Sequence, residues 1–230
     1  MKMRWLIIGI IVAGISTPCY AQTDLKQLYG LRNRIALQKF VREMENVTKI
    51  SDVRRLKTLG IAYHNLATLK VNGASGKAVD YLQKAYSLSS HDNEVLAYLG
   101  SAMTMAGRDS WNIFTKMSMV HKGIKKMDEA AASRPDSIVI RMVRANASLN
   151  LPDSFKRKET AKKDFQYLEM LITKSTANAT PDTEAEIFYQ LGMFAKQSGS
   201  ISKAKEYFRK SINASPDSQW GKQAERSLEP

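Results

Sequence analysis

Apolar residues in this chain recur at helical spacing, and the pattern is cleanest near the C-terminus. In "LGMFAKQSGSISKAKEYFRKSINASPDS" and the six residues before it, Phe188, Leu191 and Ala195 fall at i, i+3 and i+7, one face of a helix. Gly192 stands beside Leu191, where a neighbouring backbone could approach closely. "QSGS" breaks that helix, with Gly199 in the turn. Ala204, Phe208 and Ser211 carry the pattern onto a second helix, which Pro216 ends. Two helices in 34 residues predict a helical hairpin with a seam of small residues.

The same order of residues returns upstream. Leu59, Gly60 and Tyr63 are followed by Ala78, Leu82 and Ala85, with six extra residues in the turn. Leu99, Gly100 and Met103 are followed by Gly123, Met127, Ala130 and Pro135, with eleven extra. A poorer copy has Ala145 in the Gly place, then Ala161, Phe165 and Leu168, with four extra. At these positions the chain resembles the tetratricopeptide repeat, a 34-residue helical hairpin that stacks on copies of itself. The resemblance implies an all-α fold: a helical-hairpin solenoid wound as a right-handed superhelix, with units at 53–92, 93–137, 138–175 and 185–218. The insertions fall between paired helices, where loop length costs little, so loops are expected there. "ANATPDT", residues 177–183, links the third unit to the fourth.

Two further helices flank the array. Residues 22–52 form a basic amphipathic segment, with Leu28, Leu31, Ile35, Phe40, Val41 and Met44 at helix-like spacing among Arg32, Arg34, Lys39 and Arg42. Residues 219–230 place Trp220, Ala224 and Leu228 on one stripe opposite Lys222, Glu225 and Arg226, the pattern of a terminal cap. Residues 1–21 read differently. Lys2 and Arg4 precede an apolar run from Trp5 to Ile15, then Pro18 and a small Ala21, the order of a secretory signal peptide with Gln22 as the mature N-terminus. That run is short for a bilayer span. Cleavage would put the mature chain in the periplasm or outside the cell; the alternative is an uncleaved anchor. Pro18 before Cys19 argues against a lipoprotein signal.

Composition narrows the chemistry. Cys19 is the single cysteine, so the mature chain has neither disulfides nor thiolate chemistry. Without Lys2 and Arg4 the charge is +11, from 33 basic and 22 acidic residues. Residues 22–70 hold ten basic and four acidic groups, whereas 181–230 hold seven of each. A second basic cluster, Lys156, Arg157, Lys158, Lys162 and Lys163, straddles the turn of the third unit. It is either a solvated face or a contact for an acidic protein or anionic lipid. Aromatics for base stacking do not interleave with it, so nucleic acid is not expected.

Catalytic constellations are missing from the sequence. His64, His91 and His121 are not in HExxH spacing, and neither a GxSxG elbow nor a Gly-rich phosphate loop occurs. No enzyme activity and no cofactor are expected. "MSMVH", residues 117–121, has Met117, Met119 and His121, ligand types that suit Cu(I), but Met119 points away from the other two on a helix; filling of the core is the simpler reading.

The resemblance also implies where a partner would sit. In such arrays the first helix of each hairpin lines a concave groove that holds an extended peptide or a helix. Carried over place by place, the groove residues are Lys57, Ile61 and His64, then Tyr98 and Ser101, then Met142 and Asn146, then Tyr189, Met193 and Lys196. Of the Lys/Asn/Arg clamp by which some members grip a C-terminal carboxylate the chain keeps Lys57, but Ile61, Tyr98, Val139 and Val143 stand in the other places, which argues against that mode. The expected function is that of an exported scaffold of the cell envelope binding an apolar or acidic protein segment. A basic adaptor on an anionic membrane surface is the alternative, and a copper carrier or enzyme a remote one.

Overall fold

A computed structural model describes residue 28 and residues 33–46, 53–174 and 179–229. Residues 1–21, expected to be a signal peptide, lie outside them, as do most of residues 22–32. The described residues form ten α-helices and no strand: α1 (Arg34–Glu45), α2 (Val53–Thr68), α3 (Ala74–Leu88), α4 (Asn93–Asp109), α5 (Ile113–Ser133), α6 (Ile138–Leu149), α7 (Lys158–Thr173), α8 (Pro181–Gln197), α9 (Ile201–Ala214) and α10 (Gln219–Leu228). The protein is an all-α helical-repeat solenoid. Helices pair as α2/α3, α4/α5, α6/α7 and α8/α9, and successive pairs stack.

Polar side chains set where the helices start. Asp92 accepts from the amides of Glu94 and Val95 ahead of α4, Asn112 from Thr115 ahead of α5, Ser137 from Ile140 ahead of α6, and Ser218 from Gly221 ahead of α10. Thr180 caps α8, with Pro181 at its first position. Within each pair, small residues let the helices close. A Cβ on Gly192 would lie 2.6 Å from Phe208 Cε1, and one on Gly100 would lie 2.5 Å from the carbonyl oxygen of Gly123. Backbone faces backbone at that second crossing, so only glycine fits on both sides.

The inserted residues behave in two ways. In the fourth hairpin, α8 ends five residues after Gly192 and α9 begins three before Ala204. In the second, α4 ends nine residues after Gly100 and α5 begins ten before Gly123, while both turns are three residues long. All eleven inserted residues are therefore helix, not loop. At 1.5 Å per residue they carry the tip of this hairpin roughly 6 to 10 Å further out. The stretch contains no proline, and it packs on itself as far as Gly107, which faces Lys116 and Val120. In the third hairpin, Asn150 and Pro152 stop the helix, and the insertion is a loop with a single 3-10 turn at Asp153–Phe155.

The core is continuous from Leu28 to Val143, and a second body of buried side chains runs from Ala145 to Ala224. At their junction Asp164 is fully buried. Arg141 Nη1 donates to it at 2.7 Å, and Arg144 donates through Nε at 2.8 Å and Nη2 at 2.6 Å. α1 covers the first hairpin with Leu37, Phe40, Val41 and Met44; Ile35, expected on that face, points to solvent. At the other end α10 buries Ala224 and half-buries Trp220 and Leu228 against the last hairpin.

Candidate functional site

The first helices of the hairpins, α2, α4, α6 and α8, carry all ten expected groove residues. The structure treats the two halves of that row differently. In the N-terminal half the residues close on one another. Ile61, His64, Tyr98 and Ser101 are buried. His64 Nε2 lies 2.9 Å from Ser101 Oγ, and the His64 ring meets Tyr98 edge-on at 4.9 Å. Beside them Asn65 donates to the carbonyl oxygen of Leu28, itself buried, at 2.5 Å. His64, Ser101 and Tyr98 therefore tie α2 to α4, Asn65 ties α2 to Leu28, and the four expected residues offer no open surface.

Lys57 is also committed. Its ammonium lies 2.9 Å from Asp92 and 3.1 Å from Glu94, tying α2 to the start of α4. Burial works against its charge, but the two carboxylates prevail and raise its pKa.

The C-terminal half is open. Leu149 from α6, Lys158 from α7, and Tyr189, Gln190, Met193, Phe194 and Gln197 from α8 line a shallow cleft that opens to solvent. It exists because α6 and α8 approach less closely than α2 and α4 or α4 and α6 do. A direct bond spans the gap, from Asn146 Nδ2 to Glu186 Oε1 at 2.7 Å. Tyr189 is held from behind by Phe208 at 5.9 Å and by Trp220 of α10 at 5.4 Å, so the cap fixes the rotamer of a cleft residue. Met142 is half-buried in the same core, and Lys196 is exposed at the rim. On the far side of the last hairpin Tyr207 donates to Glu169 at 2.9 Å; burial, with that carboxylate second, pushes the phenol pKa up and keeps it a donor.

Thus Tyr189 and Met193 line the open cleft, Met142 and Asn146 lie on the neighbouring α6, Lys196 is exposed, and Lys57, Ile61, His64, Tyr98 and Ser101 are engaged within the array. Leu149, Gln190, Phe194 and Gln197 were missed. Leu149 was legible, since Met142, Asn146 and Leu149 follow at i, i+4 and i+7. Phe194 was not, because its role depends on the gap between α6 and α8.

The basic cluster is also divided. Arg157 is not part of an open patch: it donates twice to Asp128, at 2.7 and 3.0 Å, within the Arg141–Arg144–Asp164 network. Lys158 pairs with Asp153 at 2.8 Å, Lys162 is half-buried, and Lys156 and Lys163 are exposed. In "MSMVH", Met119 packs toward the core, while Met117 and His121 lie outside, His121 against Phe155 at 5.5 Å. The three do not converge. Among the described residues no group of three or more His, Cys, Asp or Glu could hold a metal ion, and no helix is long and apolar enough to cross a membrane.

Residues 185–218 match the family model of the tetratricopeptide repeat. Among solved structures, TTC0263, a thermophilic TPR protein of Thermus thermophilus, is similar over 89% of this chain and 95% of its own, with 16% identity and a TM-score of 0.62. Human IFIT1, solved as a dimer with m7Gppp-AAAA, is similar over 85% of this chain and 43% of its own, with 18% identity and a TM-score of 0.59. At these identities the likeness is one of fold. No curated protein sequence matches the chain. The chain thus carries one tetratricopeptide repeat matched by sequence, residues 185–218, within a helical-repeat fold similar to that of solved TPR proteins.

Proposed function

We propose that the protein is an interaction scaffold that holds a segment of a partner protein in the cleft between α6 and α8. The observation that carries this reading is the contrast along one row of helices: the same register positions are closed in α2 and α4 but open in α6 and α8. Leu149, Met193, Phe194 and Tyr189 offer apolar surface, interleaved with the polar Gln190, Gln197 and Lys158. Lys158 and Lys196 stand at its margins, so an apolar anchor beside an acidic residue fits the cleft. Aromatic anchors in such pockets supply much of the affinity.

The residues assembled here serve shape and charge, not bond chemistry, and the reading is non-enzymatic. The order of charged, apolar and small residues over 1–21 supports export, with the cell envelope as the place of action. The test is capture of a partner from envelope extract by the full chain and by a Tyr189→Ala, Met193→Ala variant. Loss of about tenfold or more in the variant is expected. Equal capture by both would contradict the cleft.

A further inference from the structure

We propose that the tip of the α4–α5 hairpin is a membrane-contacting element, which sets Trp111, Ile113 and Phe114 into the headgroup region of an anionic bilayer while surrounding lysines hold the lipid phosphates.

The lengthened hairpin ends in apolar side chains that no described residue covers. Trp111 is 94% exposed and Phe114 83%, with Ile113 at 59% and Met117 one turn further along at 41%. The turn is built, not frayed: Asn112 accepts from the Thr115 amide at 3.0 Å, and Ser110 Oγ donates to the Asn112 carbonyl at 3.3 Å. Large apolar groups exposed together in this way mark a contact site.

Charge selects the occupant. From Ser110 to Met127 there is no acidic residue and there are four lysines, Lys116, Lys122, Lys125 and Lys126. Lys116, Lys122 and Lys125 make no ion pair among the described residues; Lys126 lies over the Tyr86 ring. The acid at the end of α4, Asp109, is already bound by Arg108 at 2.7 Å and by Ser75 at 2.7 Å. The contact of His121 with Phe155 brings the α6–α7 loop alongside, and with it the exposed Lys156; Lys158 nearby is paired with Asp153 at 2.8 Å.

An indole and a phenyl ring at the tip of a hairpin, backed by cations along the acid-free stretch Ser110–Met127, match the interfacial region of a bilayer with anionic headgroups. A protein pocket would instead have to fit three splayed side chains of different shape.

The test uses the full chain with Trp5→Phe and Trp220→Phe, which leaves Trp111 as the single indole of three. With vesicles of brominated phosphatidylglycerol and phosphatidylcholine at low salt, Trp111 emission is expected to shift to the blue and be quenched. Neutral vesicles should leave it unchanged. In the parent chain Trp111→Ser with Phe114→Ser should weaken binding to anionic vesicles by roughly tenfold, with the circular dichroism spectrum unchanged. Binding of the chain with Trp111 unquenched would place the contact elsewhere and overturn the proposal, as would equal quenching on neutral lipid. A concentration-dependent dimer that Trp111→Ser and Phe114→Ser abolish, without quenching on vesicles, would assign the tip to a second copy and also overturn it.

Discussion

Asp164 shows what a single side chain contributes to this array. It is fully buried, and its carboxylate is shared by Arg141 and Arg144, which are also largely withdrawn from solvent. Removing one partner from such a group strands charge in the interior. Asp164→Asn is expected to cost roughly 3–5 kcal/mol in urea denaturation, whereas Lys163→Gln on the exposed side should stay within about 0.5 kcal/mol. The signal was in the sequence: Ala161, Asp164, Phe165 and Leu168 run i, i+3, i+4 and i+7, so an acid stood on an apolar stripe. Its partners were not legible, because Arg141 and Arg144 come from another helix. Gly100 is the opposite case, since the repeat pattern marks it and the structure supplies the reason. Gly100→Ala must push a Cβ against the Gly123 carbonyl, and a loss of about 1–3 kcal/mol is expected.

At the scale of elements, the docking of α1 should depend on pH. Glu45 accepts from Tyr63 at 2.7 Å, Tyr81 at 3.0 Å and Lys77 at 3.2 Å. Partial burial opposes its ionisation, but these donors outweigh it and hold the carboxyl below its ordinary value of 4.5. A carboxylate lowered by folding contributes stability above its ordinary value and loses it as pH falls through the lowered one. Amide exchange in α1 should therefore accelerate relative to α4 on acidification, and Glu45→Gln should remove that pH dependence. On the alkaline side burial, with Glu45 second, pushes Tyr81 up to about 12, so its contribution is present below the ordinary value of 10 and fades as pH rises toward 12. Helix pairing was readable from Gly60, Gly100 and Gly192, but the fate of insertions was not. Eleven extra residues without proline continued two helices, whereas four with Asn150 and Pro152 became a loop. Whether an insertion stays helical depends on a packing partner along its length, which Gly107 and Val120 provide in the second hairpin.

For the molecule as a whole, a uniform repeat would give a uniform groove, and this array departs from that. Pattern reading placed candidates evenly over four hairpins, because each register position looks alike in sequence. What divides them is long-range: the bond from Asn65 to Leu28 and the mutual contacts of His64, Tyr98 and Ser101 close one half. The wider spacing of α6 and α8 opens the other. A scaffold of this shape would bind at its C-terminal half and leave its N-terminal half as a closed support.

Site-specific photo-crosslinking in the native host tests that division most directly, with a photoreactive residue placed singly at Gln190, Gln197, Ser101 or the exposed Lys205 on the outer face of α9. Adducts to a partner protein are expected from positions 190 and 197 and not from 101 or 205. Adducts of equal yield from 205, or adducts from 101 with none from the cleft, would contradict it.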